Sequence, residues 1–529
     1  MGRVGKTKSF TTALHPGPLL SRRDLMALGA GAGLATLLPT GTRAQPVNDR
    51  IEAMLLAMAE GQGFDLPVRR SNGGMLDTRL DIGYATHSYP RRADGRPGRT
   101  IYTRSYEGQT TGPTLDINAG EWLRVTSTNS LPADRVFAGH NYPNRFNTYN
   151  LHTHGLHVSP TGNSDNVVDV EVAPGETFVN EIYVPVGHPP GLYWYHPHRH
   201  GATAIQVSSG LAGALVIRGA TDALPAVAAA RERIMVLQSI VTDESGRLED
   251  FQLLFSADES VVTINGIQHP VITMRPGEVQ NWRVVNACNY RVVPLYLEGH
   301  GLTQYDFDGN PLPAFRRTSG IKLAPGNRAS FLVRAGTPGL YFLKAAATSG
   351  PGTTVAYGET TLAVVLVAGA PVSMELPAGA LPLPASLAPI ADGEITGRRS
   401  LVMNEYAGGY PDAYLGVGLM FDNRRFDADR IDHHVRLGAV EEWTVSVAPV
   451  SPGETTAHPF HIHTNPIYVT RVNGQPLATP YWCDTALVEG LGSITFRTRF
   501  TDFTGRMVLH CHILSHEDLG MMQLIEISA

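Results

Sequence analysis

Twenty histidines are spread over 529 residues, a frequency at which chance yields fewer than one His-x-His pair. Five such pairs are present: His152/His154, His196/His198, His198/His200, His461/His463 and His510/His512. On an extended strand, residues two apart share a face, so each pair can aim two imidazoles at one point. Neutral imidazole is the commonest transition-metal ligand, and solvated or core histidines do not cluster in this way. The most informative stretch holds His510, Cys511 and His512, then His516, Glu517 and Met521. Strand alternation turns Cys511 to the face opposite His510 and His512. One strand can therefore serve a thiolate site on one side and an imidazole site on the other, with Cys511 as a covalent wire between them. A thiolate with two His and a weak axial Met is the donor set of a blue-copper electron-transfer centre. His516 and Met521 follow at suitable offsets. His458, three residues before His461 with Pro459 bending the strand, supplies the second imidazole. A zinc site would need only three or four ligands and would leave the remaining His unexplained.

Strands have to carry these pairs, and the chain writes one strand unit three times. Gly120 precedes Trp122, Gly277 precedes Trp282 and Gly438 precedes Trp443, each a glycine turn leading into a Trp-bearing strand. Downstream of each lies a second related strand, starting at Gly191, Gly339 and Gly505 and differing in its ending. A period of about 160 residues is too long for a solenoid and suits three tandem β-sandwiches with Greek-key strands. With 43% hydrophobic and 17% charged residues, 55 Gly and 37 Pro, the composition is globular and rich in turns, which excludes disorder and coiled coil. The phasing divides the chain into a first domain over 45–220, a second over 221–370, a Pro/Ala/Leu-rich linker over 371–390 and a third domain over 391–529. Residues 47–63 read as a short amphipathic helix, a packing arm ahead of the first sandwich.

Residues 1–44 read as an address. Arg22 and Arg23 precede an apolar run from Leu25 to Leu38, and Thr42, Arg43 and Ala44 form a small-x-small cleavage pattern. This is the form of a twin-arginine export signal, handled by the translocation machinery that carries folded chains. The run falls short of the roughly 20 residues of a stable membrane span. The expectation is a soluble periplasmic or secreted protein starting near Gln45. The leader holds six of the 42 Lys plus Arg and one of the 48 Asp plus Glu, so the rest is more acidic than the formal −6 of the whole chain. That excludes a nucleic-acid or anionic-membrane binder.

The motifs His152-Thr153-His154-Gly155, Trp194 through His198, His458 through His463 and the run from His510 to Met521 resemble the four copper motifs of the three-domain multicopper oxidases, the family of laccases and periplasmic copper oxidases. The similarity covers nearly all of the chain after the leader. It implies an all-β fold of three cupredoxin-like sandwiches and four coppers per chain. By the same resemblance, His458, Cys511, His516 and Met521 hold type 1 copper, and His152 and His461 hold type 2. His154, His196, His198, His463, His510 and His512 hold the type 3 pair. The ligands come from the first and third domains, so the trinuclear cluster belongs at their interface. The middle domain carries Lys344 and Ala346 in place of ligands. In the first domain Pro197 replaces the cysteine, so one electron-entry copper is expected. His200 and Met522 fall outside the ligand set, as a hydrogen-bonding neighbour and a core residue respectively.

The chemistry so implied is one-electron oxidation of a small aromatic reductant, phenol or aromatic amine, coupled to four-electron reduction of dioxygen to water. Making water needs protons, and the resemblance points to Glu517 and Asp165 as carboxylates near the cluster; the alternative is that either merely fixes a ligand His by hydrogen bonding. An axial Met goes with a milder potential and easily oxidised substrates. Three rivals stand beside this reading. A metal-ion (cuprous) oxidase usually carries a methionine-rich segment, whereas the 13 Met here are scattered. A non-enzymatic member of the fold would not keep ten His, one Cys and one Met intact. A two-domain nitrite reductase has no third sandwich. Cys288 and Cys483 are expected to be free buried thiols rather than a disulfide.

Overall fold

A computed structural model of the chain describes residues 48–89, 98–134, 141–255, 260–350, 355–406, 408–450 and 455–529. The leader at 1–44 lies outside the described residues.

The three Trp-bearing segments fold into three strands with the same neighbours. Trp122–Asn129 runs parallel to Met75–Tyr89, Val279–Asn286 to Arg231–Val241, and Val440–Val447 to Gly397–Tyr406. A parallel pair cannot be joined by a hairpin, so the chain leaves the sheet between the two strands and returns, as a Greek key requires. The facing sheets repeat as well. Thr114–Asn118 runs parallel to Gly213–Arg218, Val271–Met274 to Thr360–Val367, and His433–Arg436 to Met522–Ser528. Six sheets result, two in each third of the chain, and the fold is the all-β set of three cupredoxin-like sandwiches.

Trp282 and Trp443 are fully buried. Each indole N–H donates to the side chain two residues earlier on the same face, Gln280 at 3.1 Å and Glu441 at 2.8 Å. Truncating a core Trp of this kind to Ala costs roughly 3–5 kcal/mol. Trp122 differs. It is 45% exposed and leans at a tilt against the Tyr183 ring instead. Trp282 and Trp443 sit five residues beyond their glycine, whereas Trp122 sits two beyond Gly120, and the fifth position, Val125, fills the first core.

The helix Asp49–Gly61 forms as its apolar spacing predicts, with Asn48 capping the Ile51 N–H at 3.0 Å. Its arm grips the second sandwich rather than the first: Ile51 and Leu55 pack on Val271, Leu340, Val364 and Leu366. Gln62 then exchanges two hydrogen bonds with the Val271 backbone, at 2.6 and 2.8 Å. Residues 372–396 contain two short 3-10 turns and no strand. Cys288 and Cys483 are separate buried thiols. Among the described residues no helix is long and apolar enough to cross a membrane.

Candidate metal centres

Two pairs of antiparallel strands position the histidines. His152–His154 pairs with Gly191–His196 so that His152 lies opposite His196. His458–Ile462 pairs with Gly505–Cys511 so that His461 lies opposite His510. Directly opposed residues on one face are about 5 Å apart at Cβ, so each rung supplies two imidazoles, and the His-x-His spacing doubles the number. The first and third sandwiches then bring their sets together. The His152 ring stacks on His463 at 4.0 Å and the His154 ring on His461 at 3.9 Å. His198 Nε2 is 3.1 Å from His510 Nε2, and His512 Nε2 is 3.2 Å from His154 Nδ1. All eight are buried.

Hydrogen bonds on the outer side of the cluster fix which nitrogen faces inward. His152 donates from Nδ1 to Asp165 at 3.0 Å, His196 to the Pro197 carbonyl at 2.8 Å, His461 to the Asp484 carbonyl at 2.8 Å and His510 to the Cys511 carbonyl at 3.0 Å. Their Nε2 lone pairs are left pointing into the cluster. His154 is turned the other way, its Nε2 bound to Asp484 Oδ1 at 2.9 Å and its Nδ1 facing in. Nε2 of His152, His196 and His461 and Nδ1 of His512 are buried with no hydrogen-bond partner. An unsatisfied buried polar group costs about 1–3 kcal/mol, so the three Nε2 atoms of His152, His196 and His461, all turned into the cluster, call for a cation. Burial, seconded by the neighbouring rings, pushes His152, His154, His463, His510 and His512 well below the ordinary imidazole range, and burial brings His198 down to about 4 against the opposing pull of Glu517. They are neutral, the form a metal needs.

The second centre lies on the other face of the strand Gly505–Cys511. Cys511 Sγ is 3.6 Å from His458 Nδ1 and 4.0 Å from His516 Nδ1, and the two nitrogens are 3.3 Å apart. Met521 is buried in the same core, and its backbone brackets the site: the Cys511 N–H donates to its carbonyl at 3.1 Å and its N–H donates to the His516 carbonyl at 2.9 Å. Burial pushes the Cys511 thiol well above its ordinary value and the His458 imidazole down to about 3. A buried thiol ionises only against a cation, and sulfur with two imidazoles is a soft donor set suited to copper. In both centres the residues present fit the metal that their donor atoms suggest.

Both carboxylates singled out in the sequence, Glu517 and Asp165, lie against rings of the eight-histidine cluster. Carried on the short helix Leu514–Asp518, Glu517 stands 3.1 Å from His510 Nδ1 and 3.5 Å from His198 Nδ1. Asp165 has both oxygens at His152 Nδ1, at 3.0 and 3.1 Å, and one also accepts the Thr153 N–H at 3.0 Å. His200 belongs to neither centre: its Nε2 donates to Asn141 Oδ1 at 2.8 Å and its ring rests on Phe426. Met522 packs among Phe426, Val508 and Leu524.

Two residues at this site carry no motif. Asp484 touches His154 and His461 from within the third sandwich, and Arg328 of the second clamps it with two hydrogen bonds of 2.8 and 2.6 Å. Burial alone would raise the Asp484 carboxyl; the Arg328 guanidinium and His461 instead hold it below the usual carboxylate range. In sequence, Asp484 is a lone acid at the end of the strand Gln475–Cys483, and only its tertiary neighbours mark it.

Comparison with known proteins agrees with this geometry. Family profiles described as Multicopper oxidase match residues 93–222, 232–368 and 400–528. A laccase of Bacillus stratosphericus is 26% identical over 474 residues, covering 80% of this chain and 90% of that one. The multicopper oxidase mco of Staphylococcus haemolyticus is 26% identical over 448 residues, covering 80% and 84%. Among solved structures, the multicopper oxidase of Campylobacter jejuni, described as a metallo-oxidase, superposes with a TM-score of 0.70 at 23% identity, covering 88% of this chain and 94% of that one. With three family matches that together span well over half its length, laid over two histidine-rich centres, the chain belongs to the multicopper oxidases, copper-binding oxidoreductases with oxygen as acceptor.

Proposed function

We propose that this enzyme is laccase-like, taking single electrons from phenols or aromatic amines at the Cys511 centre and passing four to dioxygen at the eight-histidine cluster. Four coppers are assigned: one type 1 to His458, Cys511, His516 and Met521; one type 2 to His152 and His461; and a type 3 pair to His154, His196, His198, His463, His510 and His512. The sandwiches are assigned to 45–220, 221–370 and 391–529, joined by 371–390, and the leader to twin-arginine export into the periplasm or medium.

One observation carries the reading: Cys511 faces one centre while its chain neighbours His510 and His512 face the other. When bound, copper supplies the one-electron transfer and the oxygen reduction that no side chain performs. The protein's own part is geometry and protons. Cys511 joins the two centres through a few covalent bonds. Glu517, between His198 and His510, is placed to deliver protons as water forms. Asp165 and Asp484 hold His152, His154 and His461 in the tautomers that leave a lone pair facing inward.

The relatives carry names of both kinds, laccase and metallo-oxidase, so the reductant is the point to test. Dioxygen uptake by the copper-loaded protein should be faster with phenols and aromatic amines than with cuprous ion. The reverse order would make it a cuprous oxidase, and a copper-loaded protein with no intense sulfur-to-copper absorption would sink both readings.

A further inference from the structure

The cover over the Cys511 centre comes from the sandwich that brings no histidine to either centre. His516 is 1% exposed. Its Nδ1 faces Cys511 and His458, and its Nε2 meets the Tyr290 hydroxyl at 2.9 Å, with the two rings edge to face at 5.3 Å. Since Nδ1 must keep its lone pair for the centre, Nε2 bears the hydrogen and donates it to the phenol oxygen. The preceding residue, Asn289, accepts the Ser515 N–H at 3.0 Å, so two successive residues of one loop pin the segment that carries His516.

That loop is itself held. Asn286 Nδ2 donates to the Arg291 and Leu323 carbonyls at 2.8 and 3.0 Å, and the Arg291 guanidinium lies over the Tyr357 ring at 4.5 Å. The other imidazole edge is covered as well, with Glu405 Oε2 at 3.5 Å from His458 Nε2. Tyr290 is partly exposed. On the His516 side, the partly exposed Tyr290 therefore stands between the buried imidazole and the surface.

Building on the type 1 assignment above, we propose that Tyr290 is the electron-entry residue of the Cys511 centre: planar aromatic reductants dock against its ring, and its hydroxyl, by accepting the His516 N–H, lowers the centre's reduction potential. A hydrogen bond from the outer N–H makes an imidazole the better donor, which favours the oxidised metal. One electron leaves the reductant and reaches copper across the Tyr290 ring, which is itself unchanged; a phenol so oxidised releases its proton to water. Ring-on-ring contact selects flat aromatic molecules over a bare ion or a compact complex, which have no face to stack.

The test uses the copper-loaded full chain with Tyr290→Phe and Tyr290→Leu. Tyr290→Phe keeps the ring and the cover but loses the acceptor: the sulfur-to-copper absorption should persist while the reduction potential rises. Tyr290→Leu keeps a cover without a ring: in anaerobic stopped flow, bleaching of that absorption by hydroquinone should slow severalfold more than bleaching by hexacyanoferrate(II). An unchanged potential in the first variant, or equal slowing or acceleration with both reductants in the second, overturns the proposal. Absence of the absorption from the unaltered protein would instead remove the type 1 assignment beneath it.

Discussion

The strands Gly191–His196, Gly339–Ala345 and Gly505–Cys511 occupy equivalent places in the three sandwiches, and their fifth residues after the glycine are His196, Lys344 and His510. Across the sheet these stand opposite His152, Tyr296 and His461. The rung is the same, and the chemistry is not. In the outer sandwiches it holds two buried imidazoles whose inner nitrogens face other imidazoles or no partner at all; in the middle one Lys344 bonds Glu298 at 2.5 Å and Glu359 at 3.1 Å, partly exposed to water. Strand register fixes a position, while a metal centre also needs a second set of ligands closing over it. The first and third sandwiches provide this for each other. The next residue sharpens the contrast: Pro197, Ala345 and Cys511, so that the third rung alone has a thiol.

The largest way to break this comparison is Cys511→Ser, which makes the third rung resemble the first. The intense sulfur absorption should vanish and reductant-driven oxygen uptake fall to background, while copper analysis still finds metal at the eight-histidine cluster. Glu517→Gln separates the two centres: oxygen uptake should fall by roughly 10²–10⁴-fold, the usual worth of a positioned proton donor, with the anaerobic rate of electron entry preserved. Arg328→Met probes how the middle sandwich serves the outer two. It leaves Asp484 and the neighbouring Asp308 buried without their cation and should cost about 3–5 kcal/mol, read as a lower urea midpoint. Lys344→Ala is the smallest: a partly exposed ion pair contributes about 0–1 kcal/mol, and copper content should not change.

Contiguous patterns made much of this legible in the sequence. The His-x-His pairs, the alternation of Cys511 with His510 and His512, and the three glycine-to-strand units are all local, and local spacing maps directly onto strand faces. The spacing of two rather than five residues between Gly120 and Trp122 was equally visible, and it is why that Trp lies outside the core. Asp484, Arg328 and Tyr290 were not legible, because what each does depends on a partner far away in sequence. Asp484 meets His154 across 330 residues and Tyr290 meets His516 across 226, and no periodicity spans such distances. The helix Asp49–Gly61 was readable as a helix but not by its destination, since its apolar face specifies a greasy partner and not which one.

Arg328 joins all three thirds of the chain at one dry point: its Nε donates to the Leu192 carbonyl of the first sandwich, its own backbone N–H to Asp308 of the second, and its guanidinium to Asp484 of the third, which in turn holds His154. Pulling the second and third sandwiches apart would strand a buried charge on each, and removing the first would leave the Arg328 Nε and the Asp484 carboxylate short of a partner. The repeat that makes the chain look divisible on paper is thus tied into a single energetic unit, and none of its modules is built to stand alone.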